Sequence, residues 1–353
     1  MRTRIFRDDP HNPSRKAIKA AADAILRGEL VVFPTETVYG IGANAFDARA
    51  CRQIYKAKGR AMDNPLIVHV PDAAHAERLG VFSRKQEDVL EKIWPGPLTV
   101  IVKGRGELPK VVTAGMDSVA IRSPRGKVIR EIMEEAGVPI AAPSANISSR
   151  PSSTKGTHAI NYFNGKVSVI IDCGMSDYGI ESTILDLRSF RIMRPGAFTL
   201  EEIEAAFGRK PKVDSVSLGI KSAKVAVSPG TKYKHYSPET PLYMYDGAKW
   251  RLAGALGRFG SKAAFIGSAE SCRRLGGFGI KLLPLGSSKS PETMAHNLFD
   301  ALIRLDSVKA DFGVIEPFEE HGIGRAAMNR IRKATSQRSF RNAAGLARLL
   351  SSQ

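Results

Sequence analysis

The chain has 353 residues, 43% of them hydrophobic, and carries 53 lysine and arginine against 35 aspartate and glutamate side chains, a formal charge of +18. That is enough sequence for a sizeable core and two domains, and enough positive charge to favour nucleotides, RNA or anionic surfaces as partners. Three scattered cysteines (Cys51, Cys173, Cys272) argue against a disulfide framework or a thiolate zinc site, and no apolar run reaches the roughly 18 residues of a membrane span. The opening MRTRIFRDDP lacks the apolar stretch of a signal peptide, so a soluble, cytoplasmic protein is expected.

Residues 17–26 read as an alanine-rich helix closed by Gly28, followed by the buried strand ELVVFPT. Asp47 is the N-cap expected for a helix through RACRQIYKAK that stops at Gly59. The strand PLIVHV, a helix over 83–93 and the strand LTVIV come next, then the β-rich runs SVAIRSP, PIAAPSA, VSVIID, STILDL and RIMRP. Some of these strands are too close for helical crossovers, which predicts a mixed sheet. Thr199 and Glu202 form a capping box for the helix LEEIEAAFG.

After Gly208 the texture changes. Residues 209–241 are rich in Lys, Ser and Pro and read as a linker. Beyond it LYMYD, a helix near 249–258, KAAFIG, IKLLPL, a helix over 291–306, FGVIEP and a helix from about Gly324 alternate as in a small parallel, Rossmann-like α/β domain. The expected division is therefore 1–208, a twisted mixed-sheet α/β domain; 209–241, a linker; and 242–353, the small domain. Their net charges are +5, +5 and +8, and no acidic residue follows Glu320, so the C-terminal region is a candidate RNA or partner contact as well as a plain solvated surface.

Two stretches could carry chemistry. In KAKGR, Lys56, Lys58 and Arg60 surround a helix end and Gly59; a polyphosphate clamp and a solvated turn both accommodate that pattern. PSANISSRPSSTKG (143–156) follows an apolar strand, where open α/β sheets place ligand loops, and a Ser-rich surface loop is its plainer reading. Neither Walker A nor GxGxxG is present, GGFG at 276–279 reads as a turn, and the seven histidines lack HxxxH or HExxH spacing.

PTETVYGIGANA (34–45), KAKGR with NPLIVHV (56–70), SVAIRSP (118–124), APSANISSRPS (142–152), GIESTILDL (179–187) and RPGA (194–197) occur in that order. Together they resemble the YrdC/Sua5 threonylcarbamoyl-AMP synthases, and SPGTKYKHYSP (228–238) followed by a small domain resembles the longer Sua5 form. Ile41 and Thr231 depart from the family pattern, where Leu and Met are expected, without altering its polar positions.

The resemblance implies an enzyme, a nucleotidyltransferase. It joins L-threonine, bicarbonate or CO2, and ATP, with Mg2+, into threonylcarbamoyl-AMP and pyrophosphate for modification of the tRNA adenosine beside the anticodon. It also implies site residues: Lys56, Lys58 and Arg60 on the triphosphate as the catalytic cations, and threonine held by Thr37, His69, Arg122, Ser182 and the Ala142 backbone. Further nucleotide contacts fall to Asn64, Ser118, Ser144, Asn146, Ser152 and Arg194, with Tyr236 reaching in from a linker that acts as a lid. Contact with tRNA or with the downstream transferase complex is part of the same expectation. Two rivals remain at this stage: a non-catalytic RNA-binding module, and a carbamoyl transferase of the hydrogenase-maturation type, for which the zinc-finger cysteines are missing.

Overall fold

The computed structural model describes residues 2–221 and 235–351. Residues 228–234 of the SPGTKYKHYSP segment, Thr231 among them, lie outside the described residues, as does that part of the expected linker. The chain divides into two compact units, the first holding residues 2–148 and 152–217, the second 149–151, 218–221 and 235–351.

In the first unit β1 (Arg4–Arg7), β2 (Val31–Phe33), β3 (Gly40–Asn44), β4 (Ile67–His69), β5 (Gly80–Val81), β6 (Leu98–Gly104), β7 (Ser118–Arg122), β8 (Ile140–Ala141), β9 (Val169–Asp172), β10 (Thr183–Asp186) and β11 (Arg191–Arg194) build one sheet. Its order is 1-9-2-3-8-4-7-6-10-11, with β5 attached to β6. Parallel pairs such as β4–β7 and β6–β10 lie beside antiparallel ones such as β6–β7 and β4–β8, so the sheet is mixed, as the sequence suggests.

The helix Arg15–Leu26 starts at Ser14, whose hydroxyl accepts from the Ala17 N–H, and packs with Lys127–Ala136 over Val31, Phe33, Val169 and Ile171. Helix Ala48–Lys58 is capped by Asp47, which accepts from the Arg49 and Ala50 N–H groups, and ends at Gly59 with φ of 60°. The sequence reading missed Lys127–Ala136, Gly156–Phe163 and β3. β3 escapes a propensity argument because Gly40 and Gly42 occupy it; a Cβ at Gly42 would lie 2.6 Å from Ile140 and 2.7 Å from the Phe33 ring.

Strand periodicity sorts the sheet into two faces. Val68, Val100, Ile121 and Leu185 join Ile54 and Tyr55 in the main core. Their neighbours Ile67, Ile101, Ala120 and Ile184 form a small separate cluster on the opposite face. His69, Thr99, Ser118, Arg122 and Ser182 each lie two residues from a member of that cluster, so polar side chains ring a narrow apolar floor.

The second unit is a five-stranded, wholly parallel sheet of β12 (Leu242–Tyr245), β13 (Ala263–Gly267), β14 (Lys281–Pro284), β15 (Phe312–Ile315) and β16 (Ser339–Phe340), in order 14-13-15-12-16. The helix expected near 249–258 is divided into a 3-10 turn Lys249–Arg251, a short helix Leu252–Leu256 and a second 3-10 segment Gly257–Lys262, interrupted where glycines at 254, 257 and 260 weaken it.

Candidate functional site

Arg122 ends β7, where parallel pairing with β4 sets it in register with His69. Its guanidinium is buried and donates to Glu36 Oε1 (2.6 Å), Thr37 Oγ1 (2.9 Å) and the Gly96 carbonyl (3.2 Å). Those bonds use three of the five N–H groups and leave one on each terminal nitrogen, a fork suited to a carboxylate. Burial works against the charged form of Glu36, yet the Arg122 charge and hydrogen bonds, with the Arg125 backbone N–H, hold its pKa below the usual carboxylate value.

His69 is buried beside this pair. Burial, and then the Arg122 charge, push its pKa down to about 3, so its ring is neutral near pH 7, and its Nδ1 has no hydrogen-bond partner. A buried, unpaired ring nitrogen on the residue in register with an anchored arginine is a group prepared for a ligand polar atom. Ser182 completes this end: its Oγ lies 2.8 Å from Thr99 Oγ1, and Arg194 donates to its carbonyl at 2.9 Å. Ala142 lies between strands with its N–H on the Ile67 carbonyl at 2.9 Å, which leaves that amide engaged.

At the other end Lys58 turns inward from the last helical residue and donates to the backbone carbonyls of Ser144 and Asn146. Burial, and then the adjacent Arg60 charge, drive its pKa well below the usual lysine value, with Glu181 acting in the opposite sense. Arg60 donates to Asn64 Oδ1 (2.6 Å) and to the Asn64 and Pro65 carbonyls (3.0 and 2.9 Å). Ser144 donates to Asn146 Oδ1 at 2.6 Å, so the PSAN turn is braced from within as well as by Lys58. Ser152 donates to Glu181 Oε1 at 2.6 Å.

The remaining predicted residues are placed differently. Lys56 is exposed, because two helical residues turn the chain through about 200° and carry it to the face opposite Lys58. Ser118 opens β7 while Arg122 closes it, about 13 Å along the strand. Tyr236 belongs to the second unit, where its ring lies 5.2 Å from that of Phe299 and 5.6 Å from the Arg330 guanidinium.

Glu36 and Glu181, which bond to Arg122 and Ser152, are buried acids that the sequence reading left out. Each is an acid inside an otherwise uncharged motif, PTETVYG and GIEST, and that is the signal that could have found them. Gly196 of RPGA is also determined by the site: a Cβ there would lie 2.3 to 2.4 Å from the backbone of residues 181–183.

Residues 23–196 match the family described as telomere recombination, and residues 198–336 the threonylcarbamoyl-AMP synthase C-terminal domain. The chain is 40% identical over 331 residues to a threonylcarbamoyl-AMP synthase of Pyrococcus abyssi, covering 91% of this chain and 94% of the relative. It is 39% identical over 328 residues to that of Bacillus subtilis, with the same shares covered. Among solved structures, P. abyssi Sua5 complexed with L-threonine superposes with a TM-score of 0.88 at 37% identity, covering 96% of this chain and 99% of that one.

Proposed function

This chain belongs to the threonylcarbamoyl-AMP synthase family and is an enzyme that makes threonylcarbamoyl-AMP, and we propose that its first unit does so as a nucleotidyltransferase acting on L-threonine, bicarbonate or CO2, and ATP. The observation that carries the reading is the buried Arg122, fixed by Glu36 and Thr37 beside an unpaired His69 nitrogen.

In this reading Arg122 takes the threonine carboxylate on its two remaining N–H groups, while Glu36 balances the guanidinium charge and keeps it aimed. Neutral His69 offers its free nitrogen to the threonine hydroxyl or nitrogen, and the Ser182 hydroxyl and Thr37 border the same place. The carbamate formed on the threonine nitrogen is a weak nucleophile that must reach the α-phosphorus of a polyanion. Lys58 and Arg60 lower that repulsion and neutralise the departing pyrophosphate. Approach of the triphosphate restores the lysine's proton affinity, which burial and the Arg60 charge suppress, and draws Nζ off the two carbonyls that hold it. Ser144, Asn146, Asn64, Ser152 and Arg194 line the nucleotide side; Lys56 supplies long-range attraction from the surface.

Mg2+ belongs to this chemistry by charge, yet no group of three His, Cys, Asp or Glu side chains among the described residues could hold it. The buried carboxylates of Glu36 and Glu181 are already engaged. Magnesium is commonly held mainly by substrate phosphates, and it would enter this site with the triphosphate and offset its charge. No described helix is long and apolar enough to cross a membrane.

The test is pyrophosphate release from ATP with threonine and bicarbonate omitted in turn. Release that needs both supports the carbamate-then-adenylate route. Release with threonine alone, in solutions stripped of CO2, refutes it.

A further inference from the structure

The cations beyond Glu320, the stretch whose charge pointed to RNA, are largely spoken for within the second unit. Arg330 is fully buried, Arg332 is paired with Glu320, Arg338 lies over the Tyr243 ring, and Arg341 reaches Asp246. A different surface of the same unit has the opposite character. Between residues 248 and 280 there are six basic side chains and one acidic. All six, Lys249, Arg251, Arg258, Lys262, Arg273 and Arg274, are exposed.

Two large aromatic rings stand out among these charges. Trp250 is 74% exposed and Phe278 43%. The Arg251 guanidinium lies 4.5 Å from the Trp250 ring centroid, and Arg258 similarly covers Phe259 at 4.9 Å. Phe278 rests on Gly257, where a Cβ would come within 2.5 Å of its ring, so the loop after helix Ala269–Arg274 lies against the 3-10 segment that carries Arg258 and Lys262. Trp250 is seven residues from Gly257, about 10 Å along the intervening helical turns.

Trp250 leaves an apolar indole face in water between cations, surface that a stacked partner would cover. A sequence-tolerant single-stranded nucleic-acid site has this composition: aromatic faces on which bases stack, with cations to track the phosphates. We propose that the surface built by Lys249–Lys262 and Arg273–Phe278 binds unpaired nucleotides of an RNA, with Trp250 as the stacking platform. This goes beyond the synthase reading, which stands or falls on pyrophosphate release alone.

The test uses the full chain and an oligouridylate of about 12 nucleotides. The chain has two tryptophans, and Trp94 is buried with its indole N–H on the Leu98 carbonyl, so Trp250 dominates any quenching by a stacked base. Saturable quenching is expected. Trp250→Ala should weaken binding roughly 10-fold and Trp250→Phe should restore most of it. Arg258→Gln with Arg274→Gln should lower the slope of log affinity against log salt by about 1.4. All variants should keep wild-type pyrophosphate release. Absence of quenching, or an affinity and salt slope unchanged by these substitutions, overturns the proposal. So does a Trp250 blue shift on phosphatidylserine vesicles without any response to RNA, which would identify a membrane-surface contact instead.

Discussion

Replacing His69 by glutamine should flatten the acid side of the first unit's stability curve. The folded pKa of His69 is about 3 against 6.5 for an ordinary histidine, because burial and the Arg122 charge both oppose protonation. Below 6.5 the unfolded chain therefore binds a proton that the folded chain refuses. Stability is fully present above pH 6.5 and is lost as pH falls toward 3. At about 1.4 kcal/mol per pH unit the complete loss approaches roughly 5 kcal/mol, and between about pH 7.5 and 5 it is already about 2 kcal/mol. Glu36 titrates in the same direction, since its lowered pKa also makes stability fall as it protonates, so only the difference between wild type and variant isolates the histidine. Urea unfolding in a Trp250→Phe background, followed by Trp94 emission, reports the first unit by itself. The wild type should lose about 2 kcal/mol more than His69→Gln between those two pH values. Parallel losses in the two proteins would mean that the imidazole is protonated or solvated in the fold, and would remove the argument for a neutral ring in the threonine site.

Lys58→Ala should lower the rate of pyrophosphate release by about 100-fold or more, because it removes both the amine that the triphosphate recruits and the brace on the Ser144 and Asn146 carbonyls; a change under threefold would exclude Lys58 from the chemistry. Glu36→Gln keeps a hydrogen-bonding shape but leaves Arg122 without its counter-charge, and should raise the threonine KM more than it lowers kcat. Arg122→Ala should destabilise the first unit by about 3 to 5 kcal/mol by stranding the Glu36 carboxylate, and denaturant midpoints measure it. Gly196→Ala should unfold or displace the Glu181–Thr183 backbone, since no side chain can retreat from a 2.3 Å backbone approach; a variant with wild-type melting and activity would contradict the geometry. Threonine should be preferred to serine by about 1 to 3 kcal/mol, one methyl's worth, and valine rejected more firmly for leaving a buried polar partner unpaired; equal turnover of valine and threonine refutes the hydroxyl contact.

Local order was legible in the chain because it rests on short-range signals. Asp47 and Gly59 bound a helix, and Thr199 with Glu202 opens another, through hydrogen bonds and backbone angles available within a few residues. The mixed first sheet and the parallel second one followed from apolar runs and their spacing, and the ordered motifs pointed to the family. Periodicity did not reveal β3, where glycines replace the side chains that would carry the pattern, or helix Lys127–Ala136, whose apolar stripe sits among five charges.

Partnership across the fold was a different matter. KAKGR looks like three equivalent cations, and only the helical turn separates exposed Lys56 from buried Lys58. Arg122 and Glu36 are 86 residues apart, and nothing in either motif announces that one neutralises the other. The neutrality of His69 likewise depends on burial and on a neighbour supplied by β7. Sequence by itself determined which residue types were present and which local elements they would enter. The tertiary structure decided their charge states and aims, because desolvation and long-range pairing exist only once distant strands have come together.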